Sequence, residues 1–293
     1  MSERARNYIV IAFVYMGAYL SGFPLFLLLE AVGAPSVAAL FAWDIASTAV
    51  IWLIGVFGKN ASFYDPYWSV TPPVMLLFLL YRRSLWSPAN FLLLAVLSVW
   101  AIRLTYNWAE TFTSLRWEDW RYRMYRERYP HLWPVVNLLG IHLMPTILVF
   151  AGMLPAFAAV TARKGFLPDI LPGAVLILIG TGIEALSDRA MHRHLESPTR
   201  QSVCREGLWR YSRHPNYLGE ILIWVGVLLF AIGVDRGNWR YFPGALAVLL
   251  LFVFVSIPMA EERQTKRREG YEEYRKTTSM LLLWKEHSTK SEP

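Results

Sequence analysis

The chain has 293 residues, of which 55% are hydrophobic and 15% aromatic, while only 17% are charged. Apolar runs long enough to span a membrane, about 17–25 residues each, recur from end to end, which argues against a soluble protein. β-Barrel strands would alternate polar and apolar residues in segments of about ten, and these runs do not alternate. Cys204 is the only cysteine, which excludes an intramolecular disulfide and a multi-cysteine metal site.

Eight apolar segments predict the helices of a polytopic α-helical membrane protein. The third is short and carries Pro66, Pro72 and Pro73, so seven spans are the alternative to eight. The first is too long for the core of a signal peptide and is expected to be a retained helix. We therefore expect an all-α transmembrane bundle of about seven or eight spans. The segments lie near residues 8–29, 37–58, 66–81, 89–106, 136–160, 169–187, 217–234 and 241–259.

The formal charge of +7 is concentrated in two loops, residues 107–134 and 188–216, and in the C-terminal tail. With eight spans and a cytoplasmic N-terminus, all three basic segments lie on the cytoplasmic side, as the positive-inside rule requires. We expect a multi-pass protein with both termini cytoplasmic, in a bacterial inner membrane or a eukaryotic internal membrane. The charge is first a topology signal, and no nucleic-acid partner is expected.

Polar residues crowd the start of the seventh apolar segment. Asn216 and Glu220 are four residues apart and share a helix face, with Tyr217 beside them. An amide and a carboxylate at a helix start can hold a carboxamide or a sugar hydroxyl. Because a charged group near hydrocarbon is costly, this cluster is a candidate functional site.

Three basic residues precede this helix start. Arg210 and Arg213 suit phosphate groups, which arginine binds with a bidentate fork. The alternative is that these arginines and His214 are juxtamembrane anchors and that Asn216 is a helix cap. That alternative does not explain Glu220, which lies one turn further into the apolar segment.

The preceding apolar segment also carries ionisable groups. Glu184, Asp188 and His192 recur every four residues and lie along one helix face, and Glu184 must face the bundle interior rather than lipid. Carboxylates and imidazoles at this spacing can bind a metal ion, and His194 would complete the set. No HExxH pattern is present, however, and we expect no metal site. A structural ion pair is a further alternative for Glu184 and Asp188.

The C-terminal part resembles the steroid 5α-reductase superfamily, in its bacterial-type branch, DUF1295. The resemblance covers about residues 180–284, and its RHPNYxGE combination is fairly specific, whereas RHPxYxG alone is shared with isoprenylcysteine and phospholipid methyltransferases. The matching residues are Glu184 and Asp188, Gly207-Leu208-Trp209, Arg213-His214-Pro215-Asn216-Tyr217, Gly219-Glu220, Glu262-Arg263, Tyr271, Tyr274, Thr278-Ser279 and Trp284.

The resemblance implies a multi-helix bundle that holds NADPH at its cytoplasmic side and takes a lipophilic enone from the bilayer. Asn216 and Glu220 would bind the nicotinamide end, and Asp188 the ribose or adenine portion. Residues 1–134 would be substrate-side helices and residues 135–293 the cofactor-binding half of a single membrane domain, 1–293. The remaining cofactor-binding residues expected are Glu184, Arg210, Arg213, His214, Tyr217, Arg263 and Arg267.

The N-terminal half is similar to the same branch at residues 61–70, 98–112 and 117–130. In the steroid enzymes a glutamate and a tyrosine polarise the substrate ketone. Asp65 lies near the glutamate's place, but the tyrosine's place falls on Trp100, which has no acidic proton to give. The proton donor would then be Tyr106, Tyr64 or Tyr67.

Arg103 of the fourth segment and Asn107, the first residue after it, are four residues apart on one helix face and could position cofactor or substrate. Hydrogen bonding between helices, with snorkelling toward the interface, explains them equally well.

The leading hypothesis is an NADPH-dependent reductase of a C=C bond conjugated to a carbonyl in a lipophilic steroid-, sterol- or isoprenoid-like substrate. The hydride must lie about 3–3.5 Å from the β-carbon. A proton donor must also stabilise the enolate. The alternative is an S-adenosylmethionine-dependent methyltransferase of the isoprenylcysteine or phospholipid type. A third possibility is a lipid-binding scaffold that has kept the fold.

Overall fold

The computed structural model describes residues 2–162 and 167–284, and 81% of these residues are helical. These residues contain no β-strand, only an isolated bridge between Ser212 and Ser279. The expected all-α architecture is confirmed. The α-helices are α1 (Glu3–Ala31), α2 (Ser36–Phe57), α3 (Tyr67–Arg83), α4 (Pro88–Thr111), α5 (Trp120–Arg128), α6 (Trp133–Val136), α7 (Met144–Thr161), α8 (Leu167–Glu196), α9 (Pro215–Val234), α10 (Phe242–Leu251), α11 (Ile257–Arg267) and α12 (Tyr271–Thr277).

Seven helical segments of the described residues are long and apolar enough to cross a membrane. π-Helical turns, Asn137–Leu143 and Phe252–Ser256, join α6 to α7 and α10 to α11 into two of these segments. Helix α3 has 17 residues and contains Pro72 and Pro73, and it is not among the seven. The seven are Glu3–Ala31, Ser36–Phe57, Pro88–Thr111, Trp133–Thr161, Leu167–Glu196, Pro215–Val234 and Arg236–Arg267.

The described helices form two compact units. Unit 1 contains residues 2–86 and 101–157, and unit 2 contains residues 87–100, 158–162 and 167–284. The predicted division into a substrate half, 1–134, and a cofactor half, 135–293, concerns function and stays a prediction.

Within unit 1, helix α3 ends beside the end of α1. Arg82 and Arg83 form ion pairs with Glu30 at 3.1 and 3.0 Å. A length of 17 residues corresponds to about 26 Å of helix, close to the roughly 30 Å of a hydrocarbon core. The short proline-containing helix therefore approaches the length needed for a crossing.

At the opposite end of unit 1, the start of α1 lies beside the end of α4. Tyr8 donates to the carbonyl of Ala109 at 2.6 Å, near the end of α4. The start of α3 also reaches α4, because the hydroxyls of Ser69 and Thr105 hydrogen-bond at 2.9 Å. These contacts favour an eighth crossing by α3, since the start of α1 and the end of α4 then share one end of the unit.

In unit 2, helices α8 and α9 pack backbone against backbone. A Cβ atom on Gly173 would lie 2.3 Å from the nitrogen of Phe230, and one on Gly219 would lie 2.6 Å from the carbonyl of Gly180. Small residues allow such close approach of helices in a membrane. The same contact lays Glu184 against Gly219, whose added Cβ would lie 2.5 Å from the Glu184 Cγ.

Candidate functional site

The start of α9 carries a buried carboxylate. Glu220 is 4% exposed, and its Oε1 and Oε2 accept hydrogen bonds from the indole nitrogens of Trp100 and Trp224, each at 3.2 Å. The two indoles also meet edge to face, with ring centroids 5.4 Å apart. Because a buried carboxylate needs donors to replace water, these indoles account for a charged residue in an apolar helix.

Asn216 lies one turn before Glu220. Its amide Oδ1 is buried and has no hydrogen-bond partner among the residues that the structure describes. Nearly all buried acceptors in proteins are paired, so this amide oxygen has the capacity to accept a further hydrogen bond. Of the predicted pair, Glu220 is hydrogen-bonded to two indoles, whereas the Asn216 amide oxygen has no hydrogen-bond donor among the described residues.

Arg213 and His214 face the C-terminal tail. Arg213 Nε and His214 Nε2 both contact Glu261 Oε1, at 2.7 and 3.1 Å. Arg213 Nη1 also donates to the carbonyls of Arg275 and Thr278, at 2.8 and 2.5 Å. These two predicted cofactor residues therefore attach the tail to the segment that leads into α9.

The other predicted residues of this region differ in exposure. Tyr217 is partly buried, with its ring stacked on the ring of His214 at 5.4 Å. Arg210 and Arg267 are exposed, whereas Arg263 is partly buried. The exposed arginines remain accessible to an anionic group.

On α8, Glu184 is almost fully buried beside the start of α9, and Asp188 is partly buried one turn further along. Packing of α8 on α9 thus places Glu184 against Gly219, the residue before Glu220. Within residues 2–162 and 167–284, no group of three or more histidine, cysteine, aspartate and glutamate side chains is arranged to hold a metal ion.

In unit 1, Asp65 accepts a short hydrogen bond from the Tyr122 hydroxyl of α5. Burial raises the pKa of Asp65 to about 7, while the nearby Arg121 guanidinium opposes the rise. Burial also raises the pKa of Tyr122 well above its usual value. An acid with a pKa near neutrality, bonded to a phenol, can exchange protons at working pH.

The three tyrosines predicted as donors occupy different settings. The Tyr64 hydroxyl shares a hydrogen bond with Thr146 Oγ1 at 2.8 Å. The Tyr67 hydroxyl donates to Asp44 Oδ1 at 2.7 Å, and both residues are buried. Tyr106 is largely exposed. The hydroxyls of Tyr64 and Tyr67 are thus bonded to groups other than Asp65.

Arg103 and Asn107 both lie in unit 1, partly buried on α4. The Oδ1 atom of Asn107 is buried without a hydrogen-bond partner in the described part of the chain. It is therefore a second amide oxygen that could accept a donor. The predicted positioning role of these two residues stays a prediction.

An apolar groove of about 580 Å³ opens along α1, α3 and α4 in unit 1. Tyr8, Tyr15 and Tyr19 line it with their rings. Their hydroxyls are bonded to Ala109 O, Phe63 O and Thr71 Oγ1, at 2.6, 2.8 and 2.8 Å. Because these polar atoms are already satisfied, the groove suits a hydrocarbon body rather than a polar ligand.

Sequence reasoning missed several partners of the site. Trp224 stands four residues after Glu220, so helical spacing could have found it. Asp44 is a lone carboxylate in an apolar run, and that pattern is a functional signal in its own right. Tyr122 and Glu261 meet residues 57 and 48 positions away, Asp65 and Arg213, and no local pattern predicts these pairs.

The helical fold and its buried carboxylates together define a polytopic helical membrane protein with polar side chains buried where its helices pack. The family described as "Protein of unknown function (DUF1295)" matches residues 51–278, and the chain belongs to this family, which is tied to steroid 5α-reductase-like proteins.

Two curated relatives are similar to the chain. An uncharacterized protein of Schizosaccharomyces pombe is 26% identical over 221 residues, which cover 66% of this chain and 64% of the yeast protein. Bovine 3-oxo-5-alpha-steroid 4-dehydrogenase 1 is 30% identical over 117 residues, which cover 39% of this chain and 42% of the bovine protein. The chain thus matches less than two thirds of the length of either relative. No solved structure matches the chain significantly.

Proposed function

We propose that the protein is an NADPH-dependent membrane reductase of a C=C bond conjugated to a carbonyl in a lipophilic, steroid-like substrate. One observation carries this proposal: the buried, unpaired amide oxygen of Asn216 lies one helical turn before the buried carboxylate of Glu220. The similarity to a bovine protein named as a steroid dehydrogenase supports the same class of reaction.

The residues of unit 2 fit a nicotinamide dinucleotide. The Asn216 Oδ1 atom would accept a hydrogen bond from the N–H of the nicotinamide carboxamide. Among the described residues, no donor occupies this acceptor. Exposed Arg210 and Arg267 would bind the phosphates. Asp188 would take a ribose hydroxyl. When bound, NADPH supplies a hydride.

Proton transfer is assigned to unit 1. The Tyr122 hydroxyl donates a hydrogen bond to Asp65, and burial raises the pKa of Asp65 to about 7. The pair can therefore donate a hydrogen bond to a substrate oxygen and supply the proton that an enolate needs. The groove lined by Tyr8, Tyr15 and Tyr19 would hold the apolar body of the substrate.

The test is turnover by the purified protein in lipid nanodiscs. A panel of lipophilic enones, including 4-ene-3-oxo steroids and isoprenoid enones, is added with NADPH, and loss of NADPH absorbance and the reduced product are measured. We expect reduction of at least one enone, dependent on NADPH. Methyl transfer from S-adenosylmethionine to a lipid acceptor, with no reduction of any enone, would favour the methyltransferase alternative.

A further inference from the structure

An exposed apolar patch of unit 2 is formed where the C-terminal tail meets the loop before α9. It consists of Tyr211, Leu282, Leu283 and Trp284, residues that are 41%, 62%, 40% and 62% exposed. None of these residues belongs to a helix that spans the membrane. A cluster of large apolar side chains at a water-facing surface is unfavourable, and such patches mark interaction sites.

Backbone contacts fix the depth of this patch relative to α9. The nitrogen of Trp284 donates to the carbonyl of Tyr211 at 3.3 Å, and Ser212 Oγ donates to the carbonyl of Leu281 at 2.9 Å. Tyr211 precedes Pro215, the first residue of the α9 span, by four residues. The patch is therefore at the level where α9 enters the bilayer.

Further hydrogen bonds attach the patch to the loop before α9. The nitrogen of Arg213 donates to the carbonyl of Ser279 at 2.8 Å, and the Tyr274 hydroxyl donates to the carbonyls of Trp209 and Ser212 at 2.5 and 3.2 Å. These bonds connect the tail to the loop before α9 from both sides. The backbone that carries the patch is thus hydrogen-bonded to the protein, while its apolar side chains stay exposed.

Basic residues accompany the patch. Arg275 and Lys276 are exposed at the end of α12, which leads into the tail. Tryptophan and tyrosine prefer the headgroup level of a bilayer, and basic residues beside them attract anionic lipids. Apolar side chains with a basic surround are typical of segments that lie in the interface plane.

We propose that the patch of Tyr211, Leu282, Leu283 and Trp284 docks into the headgroup region of the bilayer, on the side where α9 begins, and that it prefers a surface with anionic lipids. The tail is then a peripheral membrane anchor attached to the loop before α9. This role goes beyond the proposed reaction and does not depend on NADPH binding.

The test is depth-dependent quenching of a single fluorophore. Cys204 is replaced by alanine, and Leu282→Cys is labelled with an environment-sensitive dye in nanodiscs. Glu272→Cys on α12, half exposed, is the matched control. We expect the dye at 282 to be quenched by lipids brominated or spin-labelled near the headgroup and protected from aqueous iodide. The dye at 272 should show the reverse.

A second arm tests the lipid preference and guards against misfolding. The Leu282→Cys protein is compared in phosphatidylcholine nanodiscs with and without phosphatidylglycerol, and we expect about twofold stronger lipid quenching with the anionic lipid. A Trp284→Ser variant should keep the melting temperature of the parent but lose lipid quenching at 282. Iodide quenching equal to the control would overturn the proposal. Protection from both quenchers would overturn it too, because a protein surface would then cover the patch.

Discussion

Carboxyl groups in the two units have different partners. In unit 1, Asp65 and Asp44 are hydrogen-bonded to the hydroxyls of Tyr122 and Tyr67. In unit 2, Glu220 is bonded to two indole N–H groups. A phenol can give up a proton, whereas an indole N–H only donates a hydrogen bond. The difference supports our proposal that unit 1 supplies the proton and that unit 2 holds the ligand.

The largest expected effect is on turnover. Replacing Tyr122 with phenylalanine removes the proton donor, so we expect the reduction rate to fall by about 10²–10⁴-fold, the usual contribution of general acid catalysis. NADPH binding should be retained, because Tyr122 is not among the residues proposed to bind NADPH. The measurement is single-turnover reduction of an accepted enone together with NADPH affinity.

Tyr67→Phe is the matched comparison, because Tyr67 is bonded to Asp44 as Tyr122 is to Asp65. We expect it to cause the smaller loss of rate. If Tyr67→Phe caused the larger loss, the Asp44–Tyr67 pair would be the proton source and our choice between the two pairs would be wrong.

The next largest effect is on stability, through the packing of α8 on α9 in unit 2. Gly173→Val places a side chain against the backbone of Phe230, so we expect destabilisation of about 1–3 kcal/mol or more. Gly182→Val, on the same helix, is the control because a Cβ there meets no atom within 4 Å. Thermal unfolding in detergent compares the two, and equal melting temperatures would contradict the close packing of α8 on α9.

A smaller effect is expected at the tail. Arg213→Lys loses the fork that contacts Glu261 and two carbonyls but keeps the positive charge beside Glu261, so we expect a local loss of about 1 kcal/mol. We expect faster amide hydrogen exchange across residues 274–281, without global unfolding. Arg210→Lys, at an exposed arginine, should leave exchange unchanged. Unchanged exchange in both variants would show that Arg213 does not hold the tail.

The smallest effect is the pH dependence of stability. The pKa of Asp65 is raised from 3.8 to about 7 in the folded protein, so the folded state binds this proton more tightly than the unfolded state. This contribution is fully present below about pH 4 and is lost as the pH rises through 7. Asp65→Asn should flatten the fall in melting temperature between pH 5 and 8. A wild-type melting temperature that rises over this range, with no change in the variant, would be inconsistent with a protonated Asp65.

Much of the fold could be predicted because hydrocarbon permits few solutions. Every apolar segment became a helix, since backbone groups in a membrane must be paired within the segment. Helix α3 is the informative case. Its prolines and short length made the crossing count ambiguous, and only its contacts with Glu30 and Thr105 indicate that it runs from one end of unit 1 to the other.

The candidate site could be predicted only in part. Asn216 and Glu220 stand out because polar groups in an apolar segment are costly. Their surroundings could not be derived, since Trp100 approaches Glu220 from 120 residues away. Arg213 illustrates a second limit. Arginine before a helix start suggests phosphate binding, which stays a prediction, and no local pattern indicates that this arginine also contacts the carbonyls of Arg275 and Thr278.

Ligand-induced stabilisation tests the central claim most directly. A ligand that binds only the folded state raises the melting temperature by mass action. We predict that NADPH stabilises the wild-type protein and that Asn216→Ala weakens its binding about three- to tenfold, the value of one hydrogen bond. Glu220→Gln should weaken it as well. Stabilisation by S-adenosylmethionine alone, or an NADPH response that neither substitution changes, would contradict a dinucleotide site at the start of α9.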